Sequence, residues 1–162
     1  MNFFDAVRAQ LLSKVVAGLL ALSVLILVGG LVAGLVEGDI RGHVAFGLVA
    51  TCAVASISAA ISLRAPKSVF HVARVAWLSI ALIVLVVALV FGGEAGDTVL
   101  TYAMVALGFP SSLLAAPLVG SILGGATEQV VGLAMLWVVL SAVGYLQWFV
   151  LLARLLRRQD VV

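Results

Sequence analysis

Long stretches without a single charged residue are the feature of this sequence that most limits its fold. Four of them cover residues 15–36, 44–63, 75–93 and 130–153, with lengths of 22, 20, 19 and 24 residues. The hydrocarbon core of a bilayer is about 30 Å thick, and a helix of roughly 20 apolar residues crosses it. Each stretch therefore predicts a spanning helix. Together they predict an all-α, polytopic membrane protein built as a bundle of four transmembrane helices.

The composition excludes most soluble classes of protein. The chain is 65% hydrophobic and 10% charged, whereas a soluble domain is roughly 45–50% apolar and about 25% charged. Nine basic and seven acidic residues cannot supply the polar exterior of a soluble globule, a disordered tail, a coiled coil or a nucleic-acid module. We therefore expect the lipid bilayer, and no nucleic acid, as a partner.

A fifth charge-free run, residues 98–127, is interrupted in its middle. It is 30 residues long and contains the sequence Leu-Gly-Phe-Pro-Ser-Ser at 107–112. Gly108 suits a helix C-terminus, and Pro110 suits the first turn of a new helix. The run thus predicts two helices, near 98–107 and 110–123, each too short to span the membrane. The alternative is one kinked helix that crosses, with its free backbone groups paired by neighbouring helices.

The distribution of basic residues decides between four and five crossings. Loops on the cytoplasmic side carry an excess of Lys and Arg. Four crossings put eight of the nine basic residues on one side, whereas five crossings divide them five to four. The sequence therefore predicts a multi-pass protein of the cell (inner) membrane with both termini in the cytoplasm. The proline-broken apolar helical segment, 98–127, is predicted on the outer side.

The two ends of the chain are predicted to lie at the cytoplasmic face. The apolar run after residue 14 is too long for the core of a signal peptide, which has 7–15 residues, so it is predicted to remain as an anchor. Apolar residues in 1–14 recur at helical spacing, which predicts an interfacial amphipathic helix leading into the first span. Residues 154–162 are predicted as a cytoplasmic tail, and the whole chain as a single membrane domain.

Small residues at four-residue spacing predict where the helices pack. Such residues let helix backbones approach closely in lipid, and they place the second span at the centre of the bundle. The residues predicted to pack helices together are Gly30, Gly34, Gly47, Thr51, Ala55 and Ala59. Trp77 and Trp148 fall near the predicted cytoplasmic boundary, where they are expected to belong to an aromatic belt.

Chemistry-bearing groups are scarce. None of the four charge-free stretches contains Asp, Glu, Lys, Arg or His, which argues against a proton-coupled pump, a multidrug exporter with a membrane glutamate and a voltage sensor. Cys52 is the single cysteine, so no disulfide can form within the chain. His43 and His71 are predicted on opposite faces and cannot share a metal. We therefore predict no catalytic residue, no metal site and no cofactor.

Two features remain as a candidate ligand site or pocket. One is Phe109, Pro110, Ser111 and Ser112. If this segment enters the membrane as a re-entrant hairpin, its backbone groups and hydroxyls line a polar pocket. The favoured interpretation is an apolar hairpin that lies on the outer leaflet or caps the bundle. The other feature is Gln147, near the inner end of the last span. It is expected to hydrogen-bond with the second span as a structural contact rather than with a substrate.

Three hypotheses for function follow. The leading one is a non-enzymatic accessory or interaction subunit, whose partner is a second copy of the chain or another membrane protein. The alternative is a lipid-binding or passive small-molecule transport protein with its site at the outer broken segment. The weakest is a membrane-bound enzyme, because no nucleophile and base pair can be assembled. Its only candidate residues are Glu94, Asp97, Glu128 and His43.

Overall fold

The structure, a computed structural model, describes residues 3–123 and 129–159. Seven α-helices account for most of these residues, and no strand occurs in the two described ranges. The helices are α1 (Phe3–Glu37), α2 (Ile40–Ser62), α3 (Lys67–Phe91), α4 (Gly93–Leu107), α5 (Ser112–Leu123), α6 (Gln129–Tyr145) and α7 (Leu152–Gln159). Between α6 and α7, residues Leu146–Leu151 form a π-helix, here called the π segment.

Four helical stretches in the described ranges are long and apolar enough to cross a membrane: Ala6–Glu37, Ile40–Ser62, Lys67–Phe91 and Val131–Leu155. The last of these runs through α6, the π segment and the start of α7. The predicted fold class, an all-α membrane protein with four spanning helices, is confirmed. Residues predicted as an interfacial helix and a first span lie on one continuous helix, α1.

The two ends of the bundle differ in charge. Arg64, Lys67 and Arg154 lie where α2 ends, α3 begins and the last span ends; this is the basic end. Glu37, Asp39 and Glu94 lie at the other, acidic end, where α1 meets α2 and α3 meets α4. The side chain of Asp39 caps α2 by accepting a hydrogen bond from the Gly42 N–H at 3.0 Å. Asx side chains at this position satisfy free N–H groups of a first helical turn.

Helices α1 and α2 pack at close range because glycines meet. A Cβ atom on Gly30 would lie 2.8 Å from the His43 carbonyl oxygen and 3.4 Å from the Gly47 Cα. Gly34 faces the first turn of α2 in the same way. Further along, the Thr51 hydroxyl donates a hydrogen bond to the Ser23 carbonyl oxygen at 3.1 Å. Because glycine has no side chain, the two backbones come close enough for direct van der Waals contact. Leucines at these positions would keep the helices apart and would gain little over their contact with lipid.

Helix α2 lies at the centre of the bundle. It packs against α1, α3 and α4, and its side chains are buried around about half of its circumference, including Cys52, Ala55 and Ala59. In the most apolar 18 residues of α2, 44% of the residues are buried, whereas in the corresponding stretch of α1 only 11% are. The remaining surface of α1 is left to lipid or to a partner.

Helix α3 buries one narrow stripe. Its buried residues follow one another at steps of three or four, and they are Phe70, Ala73, Trp77, Ala81, Val84 and Ala88. The alanines let other elements approach. For example, the Trp137 Nε1–H of α6 donates to the Ala81 carbonyl oxygen at 2.7 Å. Most other positions on α3 are exposed, as a lipid-facing helix requires.

A tight reversal sends the chain back into the bundle after α3. Gly92 and Gly93 have φ values of 61° and 55°, in the left-handed region where glycine carries no steric penalty. One turn later, a Cβ on Gly96 would collide with the Ala88 carbonyl oxygen. Helix α4 therefore starts directly against the end of α3 and runs back between α2 and α3.

Candidate functional site

Helices α4 and α5 form a re-entrant hairpin whose turn, residues 108–111, is called the hairpin tip. The Gly108 N–H closes α4 by donating to the Met104 carbonyl oxygen at 2.9 Å. The Ser112 hydroxyl donates to the Val105 carbonyl oxygen at 2.7 Å and is fully buried. The Phe109–Pro110 peptide bond is cis. The helix break that Gly108 and Pro110 predict is present in the structure.

Side chains of α2 and α3 receive the end of α4. The Ser56 hydroxyl lies 2.7 Å from the carbonyl oxygens of both Ala106 and Leu107. The Trp77 Nε1–H donates to the Leu107 carbonyl oxygen at 3.2 Å. The last carbonyl groups of a helix have no partner within the helix, and in lipid each unpaired group is costly. Ser56 and Trp77 therefore make it possible for α4 to end inside the bundle.

Gln147 attaches the hairpin tip to the last span. Its Oε1 accepts a hydrogen bond from the Ser111 N–H at 3.0 Å, and its Nε2 donates to the Phe109 carbonyl oxygen at 2.8 Å. This pair of partners fixes the orientation of the amide, since one is a donor and the other an acceptor. Gln147 lies in the π segment, where the Leu152 N–H bonds to its carbonyl oxygen. Single π turns of this kind are frequent at functional sites.

The tip lies deep within the length of the spans. Trp77, which contacts the end of α4, is fourteen residues from the acidic end of α3 and ten from its basic end. At 1.5 Å per residue, the tip is roughly 20 Å from the acidic end and about 15 Å from the basic end. The interpretation as an apolar hairpin lying on the surface is therefore wrong: the segment enters the bundle. An apolar sequence permits both placements, and the hydrogen bonds from α2, α3 and the π segment decide between them.

Close packing and aromatic rings surround one side of the tip. A Cβ on Gly144 would lie 3.0 Å from the Gly108 Cα and 2.9 Å from the Trp77 ring, so the last span and the tip touch through glycine. The Trp77 ring contacts those of Tyr145 and Phe149, with centroids 6.4 and 6.0 Å apart. On this side the tip is therefore closely packed against the last span and the Trp77 ring.

The other side of the tip is open. Phe109 is 52% exposed, Pro110 is exposed, and Ser111 and Gln147 are half-buried. The polar groups here are backbone N–H and C=O groups, one hydroxyl and one primary amide. All are uncharged, so the arrangement can exchange hydrogen bonds with a neutral polar molecule but offers no group for proton transfer at neutral pH.

The five residues predicted as a candidate site, Phe109, Pro110, Ser111, Ser112 and Gln147, come together in the structure. The expected partner of Gln147 is wrong: the amide bonds with the hairpin tip and not with α2. Sequence reasoning missed the contacts of Ser56 and Trp77 with the end of α4. Ser56 and Trp77 act on residues about 50 and 30 positions away, which no local pattern reveals.

The aromatic-belt interpretation of Trp77 and Trp148 is also wrong. Trp77 is 1% exposed, and Trp148 is buried as well, so neither ring can reach the headgroup region as a belt residue does. Trp77 instead supports the hairpin tip. The Trp148 Nε1 has no hydrogen-bond partner among the described residues.

The acidic end holds no comparable site in the described part of the chain. The His43 ring bonds to the Asp39 carbonyl oxygen at 2.9 Å, and its other nitrogen lies 3.1 Å from the Glu37 carboxylate. These contacts join residues close in sequence where α1 ends and α2 begins. No group of three or more His, Cys, Asp or Glu side chains suited to a metal occurs among the described residues. Glu128, a candidate for an enzymatic site, lies outside the described residues.

Comparison with known proteins gives a family for the chain. The model of the family described as "Uncharacterised membrane protein YbfB family" matches residues 71–158, more than half of the 162 residues. The chain belongs to this family. The YbfB match contains Trp77, the whole re-entrant hairpin and Gln147, whereas α1 and α2 precede it. No curated protein and no solved structure matches the chain.

Proposed function

We propose that this protein is a passive transport protein for a small uncharged molecule, with its site at the hairpin tip. The observation that carries the proposal is the pairing of the Gln147 amide with the non-helical backbone of the tip, roughly 15 Å from the nearer end of the bundle. Non-helical backbone at membrane depth is tolerated where protein or water covers it. Transporters bind their substrates at such helix breaks.

The chemistry of the tip favours a neutral solute. The Gln147 amide, the Phe109 carbonyl and the Ser111 N–H and hydroxyl are hydrogen-bonding groups without charge. A solute with a hydroxyl or amide group can replace these contacts and so compensate for lost hydration. With the amide already paired to the tip, the arrangement corresponds to a closed state. The charge-free spans supply no proton relay, which is why we propose passive movement.

The same proposal includes an orientation. The basic end, with Arg64, Lys67, Arg74 and Arg154, is the cytoplasmic one, in keeping with the excess of Lys and Arg in cytoplasmic loops. Both termini are then cytoplasmic, and the hairpin enters from the outer side of the cell (inner) membrane. A membrane-impermeant label applied to intact cells should therefore leave a cysteine at position 158 unmodified. Labelling of this position would reverse the orientation.

Solute flux into liposomes tests the transport proposal. The full chain is reconstituted, and swelling is followed by light scattering with water, glycerol and urea as solutes. The wild type should exceed protein-free liposomes for at least one solute. Gln147→Leu should lower that rate to the protein-free level, because an apolar side chain cannot replace hydration. Gln10→Leu, the same change on the exposed start of α1, should keep the wild-type rate.

Folding and transport are separated by further variants. Circular dichroism and gel filtration show whether each variant keeps its helices, and Gln147→Asn retains an amide if Gln147→Leu fails to fold. Replacing Pro110, Ser111 and Ser112 together with leucine should also abolish the flux. Wild-type liposomes that are no faster than protein-free ones for every solute would overturn the proposal. So would an unchanged rate in a folded Gln147→Leu protein.

A second candidate, an accessory or interaction subunit, is supported by the surface of α1. Exposed residues follow this helix at alternating spacings of four and three, the pattern of a helix–helix seam. They are Leu11, Val15, Gly18, Leu22, Leu25, Gly29, Val32 and Val36. A Cβ on Gly18 or Gly29 meets nothing within 4 Å, so a neighbouring helix could approach closely at both points. The partner is a second copy of the chain or another membrane protein.

Photo-crosslinking in cells tests this second candidate. A benzophenone side chain at Leu25, in the middle of the α1 seam, should yield one defined product in the membrane. The same group at Ile83, exposed on α3, is the matched control and should yield none. Equal or absent crosslinking at both positions would count against a subunit role.

A further inference from the structure

A groove opens at the basic end between α3 and the last span. It has a volume of about 420 Å³, and its lining includes Lys67, His71 and Arg74 of α3 together with Phe149 and Arg154. An adjoining pocket of about 430 Å³ shares Lys67 and Phe70 with it and extends to Arg64, where α2 ends. We call the two together the basic groove. Pockets of a few hundred cubic ångströms are typical of small-ligand sites.

The ionisable side chains that line the basic groove in the described part of the chain are all basic. Lys67, His71 and Arg74 recur at spacings of four and three, so they share one face of α3. None of the groove's basic residues forms an ion pair with a side chain that the structure describes. Glu37, Asp39, Glu94 and Asp97 lie at the opposite end of the bundle, whereas Asp5 lies at the start of α1. Among the side chains that the structure describes, none neutralises the groove, which thus presents positive charge to an anion.

The start of α3 strengthens the attraction for an anion. This 25-residue helix begins at Lys67, and its N-cap residue, Pro66, provides no side-chain hydrogen bond. The free N–H groups of a first helical turn carry partial positive charge and bind phosphate. Backbone and side chains thus present positive potential to the same groove.

The floor of the basic groove is apolar. Phe70 and Phe149 pack edge to face, with ring centroids 5.5 Å apart, and Ala153 continues the surface. A soluble anion has no apolar surface to bury against these rings. The first methylene groups of a lipid do, and their burial contributes to the free energy of binding. Basic pockets between spanning helices bind the headgroups of anionic lipids in this way.

From this geometry we infer that the basic groove is a binding site for a phosphate group, supplied by an anionic phospholipid of the adjacent leaflet. Arg74 and Arg154, which both line the groove, contact the phosphate in this proposal, and Lys67 at the start of α3 adds a third positive charge. The site is separate from the hairpin tip and does not depend on the transport proposal. Soluble phosphate offers the same anion, and the experiment distinguishes the two sources.

Lipid retention by the purified full chain tests the site. The protein is held in an uncharged detergent with equimolar phosphatidylglycerol and phosphatidylcholine, and retained lipids are counted by native mass spectrometry. The wild type should retain phosphatidylglycerol preferentially. In the double variant Arg74→Gln, Arg154→Gln, the ratio of retained phosphatidylglycerol to phosphatidylcholine should fall about 20- to 30-fold. This corresponds to about fivefold for each charge removed.

A matched double variant controls for overall charge. Arg8→Gln with Lys14→Gln removes two positive charges from the start of α1, outside the basic groove. Its preference should change less than about twofold, because diffuse attraction falls off within a Debye length. Equal losses in both double variants would overturn the inference, as would a wild type without preference. Circular dichroism verifies that each variant is folded.

Inorganic phosphate identifies the source of the anion. Its effect on thermal unfolding is measured in phosphatidylcholine nanodiscs, where binding to the folded state raises the unfolding temperature. Preferential retention of phosphatidylglycerol, without a phosphate-dependent rise, assigns the groove to lipid. A rise that the Arg74 and Arg154 substitutions abolish, without lipid preference, assigns it to soluble phosphate. Neither response would refute a phosphate site altogether.

Discussion

The contact between Gly144 and the hairpin tip leads to a quantitative prediction for Gly144→Ala. The added Cβ would lie 2.9 Å from the Trp77 ring and 3.0 Å from the Gly108 Cα. Neither neighbour moves freely, because the Trp77 ring is buried and hydrogen-bonded and the Gly108 atom is backbone. Overpacking of this kind costs about 1–3 kcal/mol. The gain in helix propensity from alanine returns up to about 1 kcal/mol, so we expect a net loss of about 0–2 kcal/mol.

Gly29→Ala isolates the packing contribution. Gly29 is also within a helix, and a Cβ there meets nothing of its own chain within 4 Å, so in micelles that hold a single chain this variant has the same propensity gain without the clash. The free energy of unfolding of both variants is measured by SDS titration in mixed micelles, followed by circular dichroism. Gly29→Ala should be the more stable by about 1–3 kcal/mol. If Gly144→Ala proves equally stable or more stable, the close approach of the last span to the tip is refuted.

Three other variants or reagents report on the same core. Ser56→Ala should cost about 1–2 kcal/mol more than Ser58→Ala, because Ser56 serves the carbonyls of α4 whereas Ser58 bonds only within α2; equal losses in SDS titration would contradict this. Gln147→Leu should cost about 1–3 kcal/mol and accelerate amide hydrogen exchange at the tip, and unchanged exchange would remove the proposed attachment. Cys52 is fully buried, so a maleimide should modify it in SDS but not in the folded protein; labelling of the native chain would disprove its position.

The spanning helices could be predicted from the sequence because lipid imposes a simple rule. An unbroken charge-free run of about 20 apolar residues matches the thickness of the bilayer core and pairs all its backbone groups as a helix. The residues predicted to lie between helices follow from the same medium: Gly30 and Gly47 meet at backbone distance, as small residues do where leucine gains nothing from burial. The helix break near Pro110 is equally local, since it follows from missing donors and restricted dihedral angles.

The direction of the hairpin could not be predicted because its cause is not local. Residues 98–127 are apolar whether they lie on the bilayer or enter the bundle, so hydropathy does not distinguish the two. The hairpin can enter the bundle because hydrogen-bond donors are available for the last carbonyl groups of α4. Ser56 and Trp77 provide these donors from distant parts of the sequence. The reversal at Gly92 and Gly93 was visible in the sequence only as a pair of glycines at a helix end.

The hairpin tip and the basic groove are joined through one ring. Phe149 lines the groove and contacts Trp77, which donates to the end of α4. A substitution at Phe149 would therefore disturb both regions and could not tell the two proposals apart. Arg74 and Arg154 make no hydrogen bond to the tip among the described contacts, and Gln147 does not line the groove. Charge removal in the groove should thus leave solute flux intact, and loss of the Gln147 amide should leave lipid retention intact. Each proposal can then fail alone.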